Sequence, residues 1–320
     1  RILGLEFTHL FRCGWSQDLS LPVADRGMLH ADNCYDLPHI RIESHRLKTN
    51  TQSATAFRGF GGPQGMVGIE RVLDHVAFAV GREPLEVRKL NFYGPMGTKP
   101  VQTTPYHMPV EDFIGHELVA ELERTSDYTT RKAEIVAWNA KSPILKRGIA
   151  LTPVKFGISF TLTWLNQAGA LVHVYQDGSI ALNHGGTEMG QGLFQKVAQV
   201  TAHVFGLDVS MVKITATDTG KVPNTSATAA SSGSDLNGMA AKAAAETIRG
   251  RLAEFIAEKH QVKPSTVKFV DGTVKVAGEV YGWAQVVAWA YQARVSLSST
   301  GYYATPKIVW DRVKGTGRPF

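Results

Sequence analysis

Arg58 and Phe60 stand inside the run Thr55–Gln64, TAFRGFGGPQ, where a cation and an aromatic ring are set among three glycines and a proline. Glycine lets the main chain turn where side chains would block it, and Pro63 is suited to a first helical position. Such a turn brings backbone close to something bound, and a helix beginning just after it offers N–H groups that favour an anion. The pattern Gly59-x-Gly61 continues to Gln64 instead of a glycine, so it does not make the dinucleotide fingerprint. Two further runs have the same character. His184–Gly192, HGGTEMGQG, is a second glycine-rich turn, and Lys221–Ser234, KVPNTSATAASSGS, is a run of small hydroxyl and methyl side chains. Three loops of this kind, each ahead of a helix, point to one large ligand rich in oxygen and nitrogen. No G-x-x-x-x-G-K-[ST] pattern occurs, which argues against a nucleoside triphosphate.

The elements that must carry these loops are legible from periodicity. Residues 1–12 and 39–49 read as strands, with Asp18–His30 between them mixing polar and apolar residues. Met66, Ile69, Val72 or Leu73, Val76 and Val80 repeat at helical spacing up to Gly81, and Pro84 opens a short helix through Leu90. Residues 95–108 form a long loop; Phe113–Leu122 and Tyr128–Trp138 are two further helices. The cluster Ser142-Pro143 with Lys146-Arg147-Gly148 is the expected boundary, giving domains 1–142 and 143–320. Beyond it the pattern predicts strands: Ile149–Val154, then a hairpin of Ala170–Tyr175 and Ser179–Asn183 about Asp177-Gly178. A helix Leu193–Phe205 ended by Gly206, a strand Val212–Ala216, and an alanine-rich helix Asp235–His260 capped by Ser234 or Asp235 follow. A hairpin about Asp271-Gly272 and a helix Tyr281–Ala293 complete a mixed α/β chain of the α+β class.

The 320 residues suffice for two subdomains, and the 43% hydrophobic and 19% charged fractions are those of an ordinary globular protein. No apolar run is long enough for a membrane span, so a cytoplasmic protein without membrane contact is expected. The net charge of +6 comes from scattered Lys and Arg with no basic run, which argues against nucleic acid and suits an anionic cofactor. Cys13 and Cys34 are too few and too far apart for a disulfide framework or a metal cluster, and both read as reduced thiols. Beginning at Arg1 and stopping at Phe320, the sequence reads as a segment of a longer protein.

Four stretches, Phe57–Gln64, Lys155–Thr161, Gly185–Gly192 and Pro223–Ser231, together resemble in order and spacing the molybdenum-cofactor domain of the xanthine dehydrogenase and xanthine oxidase family. The resemblance covers essentially the whole chain, as an internal segment of a bacterial-type large subunit with two related molybdopterin-binding subdomains. It implies a molybdenum hydroxylase that oxidises hypoxanthine to xanthine and xanthine to urate. In that family molybdenum-bound hydroxide attacks an electron-poor purine carbon while hydride passes to the sulfido group. Electrons then leave through the pterin to 2Fe-2S centres and FAD, and on to NAD or oxygen. Iron–sulfur and FAD parts on another segment or chain, in an oligomer of heterodimers, are the implied partners.

Residue by residue, Arg58 and Ala230 match positions whose main chain lies against the molybdenum centre, neither as a side-chain ligand, and their neighbours Gly59 and Ala229 are expected to bind the cofactor. Gln191, Thr228 and Ser231 match positions that hydrogen-bond the pterin or its phosphate. Phe60 and Phe160 match two rings that sandwich the purine, and Thr161 a polar contact to it. Arg26 alone would read as a solvated surface group. The resemblance instead implies an arginine facing a purine carbonyl, stabilising negative charge as it develops on the ring, and favouring purines over the aldehydes of the related aldehyde oxidases. The family's general base, a glutamate in a Gly-Glu-Pro-Pro stretch, and its second substrate glutamate after Gly-Gly-Phe-Gly-Gly-Lys have no counterpart here. Glu188 belongs to a cofactor motif and is not that base. An aldehyde oxidase or other N-heterocycle hydroxylase on the same cofactor, and a non-catalytic cofactor-binding or assembly subunit, are the alternative readings.

Overall fold

In the computed structural model, which describes residues 1–222 and 224–320, the chain divides into two compact units, Arg1–Thr161 with Ile308–Phe320, and Leu162–Lys307. Pro223, part of the fourth matched stretch, lies outside the described residues. The boundary expected at 142/143 is not where the units part. There Pro143 merely holds Ser142 in an extended conformation (φ −84°, ψ 120°) that ends a helix inside the first unit.

The first unit begins with β1 (Gly4–Gly14), α1 (Ser20–Leu29) and β2 (His39–Lys48). β1 and β2 pair in parallel, Gly4 opposite His39, with an irregularity between Arg12 and Gly14. Parallel neighbours need a crossover, and the stretch that mixed polar with apolar residues supplies it as α1. Next comes α2 (Gly62–Ala79), entered through Gly61 at φ +96°. A Cβ on Gly61 would lie 2.0 Å from the Val23 carbonyl oxygen, and one on Gly65 2.2 Å from that of Gly27. Part of the first loop's glycine content therefore serves to seat α2 against α1 rather than to approach a ligand. α3 (Pro84–Asn91) is capped by the Glu83 carboxylate, which accepts from the N–H groups of Leu85 and Glu86. α4 (Gly115–Thr125), α5 (Tyr128–Lys141) and a hairpin of Val309–Asp311 with Thr316–Arg318 complete the unit. Its apolar core gathers Tyr35, Ile69, Leu73, Ala77, Leu85 and Phe92. The strand expected at 149–154 does not form; residues 142–162 carry no strand or helix.

The second unit has a four-stranded sheet in the order β5-β4-β3-β9, from β3 (Gln167–Val174), β4 (Ile180–His184), β5 (Val212–Ile214) and β9 (Ser298–Ala304). Only the β4–β5 pair is parallel. α6 (Leu193–Phe205) ends on Gly206 in the left-handed region, as its sequence predicts. α7 (Gly233–Lys259) lies along the sheet and against α6, burying Ala240, Ala241, Ala244, Ala245, Ile248, Leu252 and Ile256. A Cβ on Gly301 of β9 would sit 2.1 Å from the Ala240 carbonyl oxygen and 2.6 Å from the Ala244 nitrogen, so helix and strand touch backbone to backbone. A second sheet, β6 (Lys268–Val270), β7 (Thr273–Val276) and β8 (Glu279–Gly282), is antiparallel and leads into α8 (Trp283–Gln292). The expected cap of α7 is corrected: its N-cap is Ser232, and no side chain caps it. Among the described residues no helix is long and apolar enough to cross a membrane.

Candidate functional site

The residues singled out for substrate contact come together in the first unit. Arg26, in the last turn of α1, is fully buried, so the solvated reading of a lone arginine fails. Its Nη1 and Nη2 donate to the carbonyls of Gly157 and Ser159, which aims the planar fork. The guanidinium carbon lies 5.5 Å from the Phe60 ring centre, 5.4 Å from Phe156 and 5.2 Å from Phe320. Burial lowers its pKa to about 9, which leaves it protonated at neutral pH. Phe60, buried and left-handed at φ 51°, meets Phe160 edge to face with centroids 5.3 Å apart. The rings expected as two walls of a sandwich thus touch each other directly, within ordinary aromatic contact. Thr161 is buried, and its hydroxyl donates to Asp25 Oδ2 at 3.2 Å.

Several residues that hold this group were not anticipated. Asp25, buried beneath Thr161, also accepts from Arg312 Nε at 3.0 Å and Nη2 at 2.6 Å. His30 places Nδ1 2.9 Å from the Arg26 carbonyl, while its Nε2 accepts from Gly157 N–H at 2.9 Å. Asn33 donates to the Pro153 carbonyl at 2.9 Å and accepts from Lys155 N–H at 2.8 Å. Asp32 receives Lys155 Nζ at 2.7 and 2.6 Å on its two oxygens. Burial works against charge on Lys155, but the Asp32 carboxylate outweighs it and raises the pKa, so the ammonium persists. The available signal was the polar series Arg26, His30 and Asn33 at spacings of four and three, although α1 ends at Leu29 and Asn33 lies in the turn beyond it. The failed strand at 149–154 has the same cause. Its continuation through Ser159 has main-chain groups tied to side chains of α1 and the turn after it instead of to a neighbouring strand.

Arg58 is exposed, and Gly59, at φ +94°, packs on Pro63. At the start of α2, Gly62 N–H goes to the Gly59 carbonyl and Pro63 has no N–H, so two of the donors a helix start would offer are not available to an anion.

In the second unit the second and third loops meet. Thr228 Oγ1 accepts from Thr187 N–H at 2.8 Å, and Thr225 fills the space a Cβ on Gly185 would need, 2.1 Å away. Gln191 ties its own loop, donating to the Thr187 carbonyl at 2.9 Å and accepting from Met189 N–H at 2.5 Å. The start of α6 is occupied from within: Glu188 accepts from Gly190, Gly192 and Phe194 N–H at 2.8, 3.0 and 3.1 Å. These main-chain donors, Phe194 foremost, hold its pKa below the usual carboxylate value, the opposite of what a general base needs. Ala230 and Ser231, at φ 56° and 60°, form a left-handed pair just ahead of α7, with Ala229 and Thr228 leading in. Buried atoms without a partner gather about the second loop: His184 Nε2, Thr225 Oγ1 and Asn237 Oδ1. Gly186 N–H donates to His184 Nδ1 at 3.1 Å, and burial lowers the pKa of that imidazole to about 4.

Two family profiles, both described as molybdopterin cofactor-binding domain, match residues 1–92 and 121–320. The chain is 43% identical over 313 residues to a xanthine dehydrogenase of Blastobotrys adeninivorans, covering 97% of this chain and 21% of that protein. It is 42% identical over 320 residues to a xanthine dehydrogenase/oxidase of Gallus gallus, covering 100% of this chain and 22% of that protein. It therefore spans about a fifth of the length of these relatives. Among solved structures, quinoline 2-oxidoreductase from Pseudomonas putida 86 superposes with a TM-score of 0.78 at 22% identity, over 95% of this chain and 41% of that one. The aldehyde oxidoreductase from Desulfovibrio desulfuricans gives 0.73 at 22% identity, over 99% and 31%. Both share the fold. With both profiles accounted for along its length, the chain belongs to the molybdopterin cofactor-binding domain family.

Proposed function

We propose that this chain is the cofactor- and substrate-holding part of a molybdenum hydroxylase that oxidises hypoxanthine to xanthine and xanthine to urate. One observation carries the purine reading. Arg26, Phe60, Phe160 and Thr161, as much as 135 positions apart in sequence, converge in one unit with the guanidinium against the Phe60 ring. Phe60 and Phe160, already in edge contact, give a flat ring one face and one edge to lie on. Arg26, buried and still charged, supplies positive potential toward a ring that gains negative charge in the transition state.

The residues present fit molybdopterin. Loops of small residues, the left-handed Ala230–Ser231 turn and the unpartnered buried polar atoms around Gly185 and Gly186 suit a heterocycle with a phosphate. In the second unit, Gln191, Thr228 and Ser231 would hold it by side-chain hydrogen bonds, and Ala229 and Ala230 by main chain; for the first unit, main-chain contact by Arg58 and Gly59 is proposed on the family resemblance alone. When bound, the cofactor supplies the oxygen-transfer and two-electron chemistry. Glu188, engaged by three main-chain N–H groups, keeps its proton-free state as a loop anchor, and the general base comes from elsewhere in the polypeptide. The 2Fe-2S, FAD and NAD sites belong to other parts of the enzyme, in an oligomer of heterodimers. The subdomain assignment follows from the same reading: 1–142 would be the end of one cofactor-binding subdomain and 143–320 most of the second, although the compact units part at Thr161.

In the full-length enzyme, Arg26→Met should depress xanthine turnover far more than benzaldehyde turnover. Equal losses on both would remove Arg26 as the purine-selecting group and favour an aldehyde oxidase. A molybdenum content near zero in the purified complex would favour a non-catalytic cofactor-binding or assembly subunit.

A further inference from the structure

The backbone of residues 153–159 has the hydrogen-bonding habit of an edge strand whose neighbour has been replaced by side chains. Its contacts fall on alternate residues: Pro153, Lys155, Gly157 and Ser159. In an extended chain the main-chain groups of every second residue face the same way. The partners come from the end of α1 and the turn that follows it, with Arg26 in the last helical turn serving Gly157 and Ser159, His30 at the C-cap serving Gly157, and Asn33 in the turn serving Pro153 and Lys155. Phe160 and Thr161 follow directly, so whatever sets the register of this strap sets where they stand.

We infer that His30 is a positioning residue for the substrate pocket, a neutral imidazole that fixes the register of the 153–161 strap against α1. The inference rests on the reading of Arg26, Phe60, Phe160 and Thr161 as the substrate pocket. Because Gly157 N–H donates to Nε2, the ring proton sits on Nδ1, where it donates to the Arg26 carbonyl 2.9 Å away. One ring therefore links the main chain of the residue carrying the guanidinium to the main chain that orients the same guanidinium. The imidazole is fully buried, with Phe156 and Phe320 at 5.6 and 5.1 Å between centroids. Desolvation, with the positive charges of Lys155 and Arg26, lowers its pKa to about 3, which keeps Nε2 an acceptor. Losing that acceptor leaves a buried N–H unpaired at the centre of the strap.

The test compares His30→Asn with His30→Gln in the full-length enzyme. Asparagine can still donate to the Arg26 carbonyl but falls short of Gly157, whereas glutamine carries an acceptor out to the Nε2 position. Hydrogen exchange over residues 153–161 is expected to quicken about tenfold in His30→Asn and to stay close to wild type in His30→Gln. kcat/KM for xanthine should follow the same order, falling about tenfold in the asparagine variant and less than about threefold in the glutamine variant. Equal exchange in both variants, or loss of activity in His30→Asn with the strap as protected as in wild type, would overturn the inference. The two readouts fail separately. A wild-type enzyme without activity on purines would refute the function proposed above, while exchange of the strap would still decide the role of His30.

Discussion

Eleven of the sixteen polar or charged side chains buried among the described residues belong to the first unit, whereas the larger apolar core belongs to the second. The difference follows from what each unit has to hold. The first contains a long irregular segment whose backbone groups must be satisfied without a sheet, so Arg26, His30 and Asn33 are drawn inside to do it, while Asp32 pairs with the Lys155 ammonium. The second ties its loops with side chains nearer the surface, Thr228 on the Thr187 N–H and Glu188 on its own helix start, and rests on a helix packed by alanines. Specific geometry bought with buried polar groups is sensitive to the loss of one partner; geometry set by packing is sensitive to volume.

The contrast can be broken most severely at Glu70. Its carboxylate accepts from the buried Arg88 Nε at 2.6 Å, from Tyr35 at 2.6 Å and from Asn33 at 2.8 Å. Glu70→Ala removes the acceptor of Arg88 Nε and of Tyr35, leaves the buried guanidinium with Asp74 Oδ1 at 2.8 Å as its remaining carboxylate partner, and should cost about 4 kcal/mol by thermal or urea unfolding. A cost no greater than that of a surface substitution would undo the electrostatic account of the first unit. In the second unit, Leu252→Ala opens a cavity beneath a fully buried side chain and should cost about 3 kcal/mol in the same assay.

The third test uses pH. His30 has its pKa lowered from 6.5 to about 3, so its contribution is complete above about 6.5 and is lost progressively as pH falls toward 3. From pH 7 to pH 5 the loss should be about 2 kcal/mol, because the unfolded chain takes up a proton that the folded one refuses. His184, lowered to about 4, acts in the same direction in the second unit. His30→Gln should therefore flatten the acid slope without abolishing it; an unchanged slope would mean that His30 is not held neutral. The smallest effect is expected at Glu188→Ala, on an exposed carboxylate. Faster amide exchange at Gly190, Gly192 and Phe194, with little change in Tm, would confirm that it caps α6.

The second unit was the more legible in sequence. Asp177-Gly178, Gly206 and Asp271-Gly272 mark turns and ends by local chemistry, and the structure puts them where that chemistry says. β9 was missed because Ser298–Ala304 is rich in small and polar residues, and its fit to α7 depends on Gly301 being close to a backbone far away in sequence. The first unit hid its main device. An apolar run at Ile149–Val154 has strand composition, yet the partner that meets its end is a polar side chain from the turn after α1. The family motifs located the candidate positions, but not the edge contact between Phe60 and Phe160 or the closing of the α6 start by Glu188.

The backbone contact between Gly301 and the Ala240–Ala244 turn has a consequence at the head of α7. With no side chain between them to act as a bearing, the helix can neither roll nor slide without steric collision, and the Ala230–Ser231 bend is anchored to its first turn. A guest arriving at that bend would find its host already immobilised, so little conformational entropy remains to be lost on association.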